Sequence, residues 1–192
     1  MTVEFGWRSR GYLPHFEGGE RAQFITFRLH DSLPQAVLDR WRRELARADE
    51  ALLRRRIEAY LDRGYGDAHL GEPRVAAMAQ AALLHFDGTR YRLAAWVVMP
   101  NHVHLLAAPC RGHTLAALMH ALKSYTAHEA NKLLRRAGAL WQEEYFDRYI
   151  RDADHYAKTI TYIESNPVKA GLCRTPADWP YSSAYLRLKK SS

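Results

Sequence analysis

Cysteine is scarce in this sequence, and long apolar runs are missing. The two cysteines, Cys110 and Cys173, lie far apart and belong to no paired motif. This excludes a disulfide framework and a cysteine-rich zinc ribbon, and it favours a reducing compartment. No stretch approaches the roughly 18 apolar residues of a membrane-spanning helix, and the first residues lack the apolar segment of a secretory signal. We therefore predict a cytoplasmic protein with no membrane association.

Positive charge is in excess. The 192 residues include 28 lysines and arginines against 21 aspartates and glutamates, a formal net charge of +7. An acidic partner is expected, and nucleic acid is the commonest one. The length suits one domain with a hydrophobic core of its own. We predict a single domain over residues 1–192, with an irregular N-terminal arm over about residues 1–22 and a C-terminal tail over about residues 173–192.

Hydrophobic patterning predicts the elements of the first half. The alternation in Phe24–Leu29 predicts a strand, and apolar residues at helical spacing predict one long amphipathic helix over residues 35–62. We interpret the arginines of that helix, Arg54 to Arg56 among them, as a solvated face rather than a phosphate-binding ridge. Pro73 opens a second helix that runs to about Phe86.

The second half begins with the signature of a β-hairpin. Residues 91–108 are two apolar strands joined by a tight Pro-Asn turn, and residues 115–136 form an amphipathic helix. Residues 140–150 form a short strand or an ordered loop. A last helix follows Asp152 and ends near Asn166, because Pro167 disfavours the α conformation in the residue before it. This element order predicts an α+β sandwich with an antiparallel sheet.

A His-Val-His run begins the second strand of that hairpin. Side chains of a strand alternate between its faces, so His102 and His104 point the same way while Val103 and Leu105 point the other. This spacing suits two ligands of one metal ion, although it also fits two surface histidines that share a face. Zinc would need a third protein ligand, whereas Mg²⁺ and Mn²⁺ accept oxygen ligands, water and phosphate.

The last helix carries two separate stripes at helical spacing. Tyr156, Ile160 and Ile163 form an apolar stripe, and we predict that Tyr156 belongs to the core. A polar stripe contains His155, Thr159, Tyr162 and Asn166. One helix could thus offer a phenol nucleophile and an oxygen ligand, although a merely polar outer face would give the same pattern. A phenol ionises near pH 10 and needs activation, which a cation that polarises a phosphodiester reduces.

Several sequence blocks together resemble one family of proteins. The run Met99 to Leu106 (MPNHVHLL) resembles the HUH motif of single-tyrosine transposases. Residues 141–152, 162–172 and 178–183 look like further blocks of one branch, the REP-associated tyrosine transposases, which are related to the transposases of the smallest insertion sequences. The arm from Arg8 to His15 fits this branch as well. The combination of blocks is specific, although the His-x-His spacing alone is not.

The resemblance implies a ferredoxin-like fold, cleavage and joining of single-stranded DNA, and a divalent cation, Mg²⁺ or Mn²⁺. His102 and His104 match the HUH ligands, Tyr162 matches the nucleophile, and Asn166 matches the third ligand position. The implied substrate is a short palindromic hairpin, and the implied intermediate is a 5′-phosphotyrosine. His155 is a possible supporting residue. The predicted DNA contacts are Arg8, Arg10, Arg148, Arg151 and Lys169.

Three alternatives stay open at this point. The chain could be a hairpin-binding protein without turnover, or a phosphoesterase that uses water with His155 as its base. Tyr125, on the helix after the HUH strand, is the second choice of nucleophile. We expect association with the nucleoid and a monomer rather than a dimer. The long arginine-rich helix over residues 35–62 departs from the shorter members of the family, so the placement of DNA contacts is open.

Overall fold

A computed structural model of the chain describes residues 6–9, 14–17, 19–45 and 50–191. Within them lie six strands and six α-helices. The strands are β1 (Gly6–Ser9), β2 (Pro14–Glu17), β3 (Gln23–Arg28), β4 (Tyr91–Val98), β5 (His102–Pro109) and β6 (Phe146–Tyr149). The helices are α1 (Gln35–Glu44), α2 (Glu50–Asp62), α3 (Pro73–His85), α4 (Leu115–Leu134), α5 (Ala153–Lys169) and α6 (Ser183–Ser191).

The central sheet has four strands in the order β4-β5-β3-β6, and all neighbours are antiparallel. The chain passes from β3 through helices to β4, turns directly into β5, and passes through α4 to β6. This is the βαββαβ connectivity of a ferredoxin-like fold. The predicted α+β class, antiparallel sheet and ferredoxin-like architecture are therefore confirmed, as is the hairpin over residues 91–108.

The two faces of the sheet build two separate cores. Val103 and Leu105 lie on one face, packed with buried residues of α3 and α4. Leu106 lies on the other face, in a cluster with Phe24 and with Ile163 of α5. Each fully buried aliphatic or aromatic side chain contributes roughly 1.5–3 kcal/mol. The alternation of β5 therefore sends His102 and His104 to the face that α5 covers.

The predicted helix over residues 35–62 is wrong, because the structure has two helices there. Helix α1 ends at Glu44, and Leu45 adopts an extended backbone. The rings of Trp41 and Tyr60 lie 5.6 Å apart, and Arg56 pairs with Glu44 at 2.8 Å. These pairings show that α2 runs back along α1. Apolar residues recur at helical spacing through both α1 and α2, because the two helices pack on each other. The sequence pattern therefore looked like one continuous helix.

The predicted end of α5 at Asn166 is also wrong, because the helix continues to Lys169 with Pro167 inside it. A Schellman motif holds the extra turn: Leu172 N–H donates to Pro167 O at 2.9 Å and Gly171 N–H to Val168 O at 3.0 Å. Gly171 supplies the positive φ of 70° that this motif requires. The capping and packing of this turn offset the proline penalty. The predicted Asp152 cap is confirmed, since its carboxylate accepts from His155 N–H.

Both ends of the chain are more regular than predicted. The arm over residues 1–22 is not irregular in its described part, because β1 and β2 pair as an antiparallel hairpin. The tail over residues 173–192 contains α6. Trp179 Nε1 donates to Val98 O at 2.9 Å, and Val98 N–H donates to Tyr181 O at 2.9 Å. The tail therefore covers the exposed edge of β4, which protects it from pairing with another chain.

Smaller differences concern single boundaries. Helix α4 ends at Leu134 rather than Arg136, because Arg135 adopts the left-handed conformation with φ 52°. The uncertain stretch over residues 140–150 contains strand β6. Helix α3 ends at His85, one residue before the predicted limit. No helix in the described residues is long and apolar enough to cross a bilayer.

Gly66 fixes the loop that follows α2. Its φ is +82°, and a Cβ there would lie 2.7 Å from Asp31 O and 2.8 Å from Ser32 Cα. Gly64 also has a positive φ, 71°, but has open space around it. We expect Gly66→Ala to lower the free energy of unfolding by at least about 2 kcal/mol more than Gly64→Ala, because the backbone strain is shared and only Gly66 adds a clash. Urea unfolding of both variants measures the difference, and equal losses would contradict it.

Candidate functional site: a histidine pair beside a buried tyrosine

His102 and His104 form a pair at the start of β5. Both side chains are 0% exposed, and both point to the face of the sheet covered by α5. Their Nε2 atoms lie 3.1 Å apart. The prediction that the two imidazoles share a face is therefore confirmed, and the alternative of two surface histidines is wrong.

Asn101 determines which nitrogen of His102 carries a proton. The Asn101 Nδ2 group donates to Leu61 O at 3.0 Å and to Tyr65 O at 3.3 Å. Its Oδ1 therefore faces His102 Nδ1, at 2.7 Å, and can only accept. His102 must carry its proton on Nδ1, which leaves the lone pair of Nε2 directed toward His104.

Thr26 is the corresponding partner of His104. Its Oγ1 lies 2.7 Å from His104 Nδ1, across the β3–β5 ladder in which the two residues are register partners. A hydroxyl can donate or accept, so Thr26 accommodates either tautomer. Burial lowers the pKa of His102 to about 3. Burial, with the nearby His102 and Lys169, holds the pKa of His104 well below its usual range. Both imidazoles are therefore neutral at pH 7, the form that binds metal.

Tyr162 and Asn166 lie one helical turn apart on α5, facing the sheet. The Tyr162 ring lies 5.5 Å from the His104 ring and 5.8 Å from the Phe24 ring, measured between centroids. Asn166 is 0% exposed. Within the described residues, the Tyr162 hydroxyl and the two polar atoms of the Asn166 amide make no hydrogen bond of standard length and angle. Glu58 lies near the phenol, and Asp62 lies near the amide. Buried polar groups are nearly always paired, so these three atoms are suited to a group that binds from outside.

Two imidazoles and one amide oxygen form a donor set able to hold a divalent cation. Two neutral imidazoles and an amide oxygen that makes no hydrogen bond of standard geometry are available at the site. No group of three His, Cys, Asp or Glu side chains able to hold a metal exists in the described part of the chain. A cation held by two imidazoles and one amide oxygen would keep positions for water and phosphate.

Helix α2 adds two carboxylates that the sequence did not single out. Burial, followed by the charges of Glu58 and Asp62, raises the pKa of Tyr162 well above its usual value. Burial raises the pKa of Asp62, and the Asn166 amide and the Lys169 charge oppose that rise. The i, i+4 spacing of the two acidic residues was visible in the sequence. Their position beside Tyr162 was not, because it depends on α2 folding back along α1.

Lys169 packs against the ring of Tyr162. Its Nζ is 4.5 Å from the centre of the Tyr162 ring. The side chain is exposed on its outer side. The ammonium group therefore forms a cation–π contact with the Tyr162 ring.

Other predicted residues lie elsewhere. His155 is in the first turn of α5, and at about 1.5 Å per residue it lies roughly 16 Å along the helix from Asn166. Its Nδ1 accepts a hydrogen bond from Arg151 N–H. Tyr125 is 55% exposed on α4, which packs on the opposite face of the sheet from the histidines. The prediction that Tyr156 belongs to the core is wrong, since it is 37% exposed.

The predicted DNA contacts are spread over two regions. Arg148 shares the histidine face, because it is the register partner of Phe24. Burial lowers the pKa of His155 most, and the charges of Arg148 and Arg151 lower it further. The two arginines therefore both lie near His155. Arg8 lies in β1, where only the backbone is described, and Arg10 lies outside the described residues.

Comparisons with known proteins find related sequences and a related fold. Residues 77–166 match the family described as "Transposase IS200 like". A REP-associated tyrosine transposase of Escherichia coli strain K12 is 29% identical over 94 residues, which cover 48% of this chain and 54% of that protein. A Haemophilus influenzae protein described as a candidate REP-associated tyrosine transposase is 30% identical over 109 residues, covering 52% of this chain and 62% of that protein.

The matched part thus spans less than two thirds of either relative's length. A solved structure described as a REP-associated tyrosine transposase bound to a REP hairpin shares the fold, with a TM-score of 0.59 and 18% identity over 96% of this chain and 86% of that one. The matched residues include β4, β5, α4, β6 and most of α5, with both histidines, Tyr162 and Asn166. Residues 77–166 of this chain are therefore similar to the family of IS200-like transposases.

Proposed function

We propose that this protein is a metal-dependent endonuclease and strand transferase for single-stranded DNA that acts on palindromic hairpins through a 5′-phosphotyrosine intermediate. One observation carries the proposal. A buried tyrosine hydroxyl and a buried amide, neither in a hydrogen bond of standard geometry, lie one turn apart on α5, and the tyrosine ring packs beside one of two neutral histidines. The names of the relatives and the hairpin bound by the related structure support the same substrate class.

His102, His104 and Asn166 would hold the cation, Mg²⁺ or Mn²⁺. When bound, it supplies positive charge that stabilises the non-bridging oxygens of a phosphodiester and the departing oxygen. Asn101 and Thr26 keep the two imidazoles in place. The Phe24 ring packs beside both His104 and Tyr162, with ring centroids 5.3 and 5.8 Å away.

Tyr162 is the proposed nucleophile. Its oxygen forms a bond to phosphorus, and the bond from phosphorus to the 3′ oxygen of the preceding nucleotide breaks. The phenol proton leaves, and the departing 3′ oxygen takes up a proton to become a hydroxyl. Lys169, close to the ring, favours the charge that develops on the phenol oxygen. Attack by another 3′ hydroxyl on the phosphotyrosine reverses these bond changes and joins a new strand.

A groove near the first turn of α5 is suited to guide the strand. It has a volume of about 760 Å³, and its lining residues are Arg21, Ala22, Tyr149, Ile150, Arg151, Asp152, Ala153 and Tyr156. Arginines neutralise phosphates, and tyrosine rings stack with bases. Ala22, also in its wall, is two residues from Phe24, which contacts the Tyr162 ring. We propose that single-stranded DNA follows this groove toward the nucleophile, contacting Arg148, Arg151 and Lys169.

Binding should depend strongly on salt. We expect affinity for a hairpin oligonucleotide to fall roughly 30-fold between about 50 and 200 mM salt, as for three to four neutralised phosphates. Arg151→Gln should reduce the slope of log affinity against log salt by about one. Arg74→Gln is the matched control, because Arg74 begins α3 and pairs with Glu72. Fluorescence anisotropy measures the slopes. A flat affinity, or equal slopes for both variants, would contradict an electrostatic contact at Arg151.

One incubation tests the proposed function itself. The protein, labelled hairpin oligonucleotides with single-stranded flanks, and Mg²⁺ or Mn²⁺ are mixed and separated on a denaturing gel. We expect a cleaved strand and a protein–DNA band that survives denaturation. Cleavage without that band would make water the nucleophile and favour the phosphoesterase alternative. Hairpin binding with neither product would favour a binding protein without turnover. Sedimentation of the same complex tests the expected monomer.

A further inference from the structure

We infer that helix α2 selects the metal-binding tautomer of His102, with Asn101 as the positioning residue between them. The inference deepens the proposed function and rests on it, because it concerns how the proposed cation ligands are prepared. It gives a role to α2, a helix whose arginine-rich sequence suggested only a solvated face.

Asn101 is a fully enclosed link between two distant parts of the chain. It is 1% exposed and precedes the first histidine of β5. Its Nδ2 group donates to the carbonyls of Leu61, in the last turn of α2, and of Tyr65, in the loop beyond it. Carbonyls in the last turn of a helix lack the usual partners within the helix, so the end of α2 has acceptors to offer. Leu61 O accepts from Gly64 N–H as well.

The two carbonyls determine the orientation of the amide. If the Asn101 side chain were turned over, its oxygen would face two carbonyl oxygens, and its NH₂ group would face His102 Nδ1. The histidine would then accept at Nδ1 and carry its proton on Nε2, where it could not bind a cation. In the observed orientation Nδ1 donates to Oδ1 at 2.7 Å and Nε2 is left with its lone pair. If α2 moved away, the Leu61 and Tyr65 carbonyls would no longer hold the Asn101 amide in this orientation.

The same end of α2 also approaches the nucleophile. Asp62 follows Leu61, and Glu58 lies one turn earlier; both carboxylates act on Tyr162. The loop after α2 is held independently, since Asp67 N–H donates to the Asp31 carboxylate at 2.8 Å. Loss of the Asn101 amide should therefore loosen the last turn of α2 without unfolding the helix or the loop.

Two substitutions at Asn101 separate its two contacts. Asn101→Asp keeps an oxygen for His102 Nδ1–H but loses both donors to α2, so the tautomer is retained while the end of α2 loosens. Asn101→Ala loses both contacts. Thr26→Val is the matched control, because Thr26 contacts His104 and has no hydrogen bond to α2. Partners of metal-binding histidines typically change metal affinity 10–100-fold.

Three measurements on the full chain test the inference. Imidazole ¹⁵N shifts of the metal-free protein report the tautomer, calorimetric titration with Mn²⁺ reports affinity, and hydrogen exchange at Arg63 and Gly64 reports the end of α2. We expect the Nδ1–H tautomer of His102 in the unmodified protein and in Asn101→Asp, and a mixture of tautomers in Asn101→Ala. Mn²⁺ affinity should fall at least tenfold in Asn101→Ala and stay within about threefold in Asn101→Asp.

Hydrogen exchange at Arg63 and Gly64 should accelerate in both Asn101 variants. In Thr26→Val this exchange should stay unchanged, and only the Mn²⁺ affinity should fall. An unchanged tautomer in Asn101→Ala, or unchanged exchange in Asn101→Asp, would overturn the inference. If Asn101→Ala does not fold, Asn101→Asp and Thr26→Val still decide it through exchange. If the unmodified protein binds no Mn²⁺, the proposed function fails, whereas the tautomer in metal-free protein continues to test the inference.

Discussion

His102→Ala and His104→Ala should each lower the rate of hairpin cleavage by at least about 10³-fold, while hairpin affinity stays within about tenfold. A bound cation stabilises the transition state by several kcal/mol, and about 4 kcal/mol corresponds to a factor of 10³. Affinity depends mainly on phosphate contacts elsewhere, so it should survive. Cleavage is measured by single-turnover kinetics at limiting Mg²⁺, and affinity by anisotropy.

His120→Ala is the control for the histidine variants. His120 is exposed on α4, which packs on the opposite face of the sheet. It should cleave at the rate of the unmodified protein. Full activity of both His102→Ala and His104→Ala would contradict the proposed metal site. Melting temperatures of all three variants distinguish a chemical loss from unfolding, because the two active-site histidines are fully buried.

Tyr162→Phe should abolish both the covalent adduct and cleavage, with a loss of at least about 10³-fold in rate. The change removes one oxygen and keeps the ring that packs against Phe24 and His104. That oxygen is buried near two carboxylates and makes no hydrogen bond of standard geometry, so its removal should leave the free energy of unfolding unchanged or raise it by about 1 kcal/mol. A variant that is equally or more stable but inactive is the pattern of a functional residue rather than a structural one.

Two chemically identical changes accompany it. Tyr125→Phe and Tyr156→Phe alter exposed tyrosines, one on the far face of the sheet and one in the second turn of α5. Both variants should form the adduct at the normal rate. If Tyr162→Phe still forms the adduct, the nucleophile has been assigned wrongly, and Tyr125 is the next residue to test.

The fold was predictable where one signal governs an element. Alternation in Phe24–Leu29 and the apolar run over residues 91–108 gave the strands, because buried strands require those patterns. The sequence did not predict element ends that depend on tertiary packing. One apolar periodicity hid the end of α1 at Glu44, and a Schellman motif around Gly171 allows Pro167 to stand inside α5.

The site was predictable only in part, for a similar reason. His102 and His104 share a strand, and Tyr162 shares a helix turn with Asn166, so short spacings suggested both pairs. The partners that prepare them are distant in sequence. Asn101 reaches Leu61, and Thr26 reaches His104, across 40 and 78 positions. No local pattern encodes such contacts, because they exist only once α2 and β3 are in place.

Peptide mapping of the covalent adduct identifies the residue that attacks the DNA. The unmodified protein is trapped on a hairpin oligonucleotide with Mg²⁺, digested with trypsin and nuclease, and analysed by mass spectrometry. Cleavage after Lys158 and Lys169 releases residues 159–169, in which Tyr162 is the single tyrosine, while Tyr156 and Tyr125 fall in separate peptides. We expect a nucleotide attached to Tyr162 through phosphate. A nucleotide on the peptide of Tyr125 or Tyr156, or cleaved DNA with no modified peptide, would contradict it.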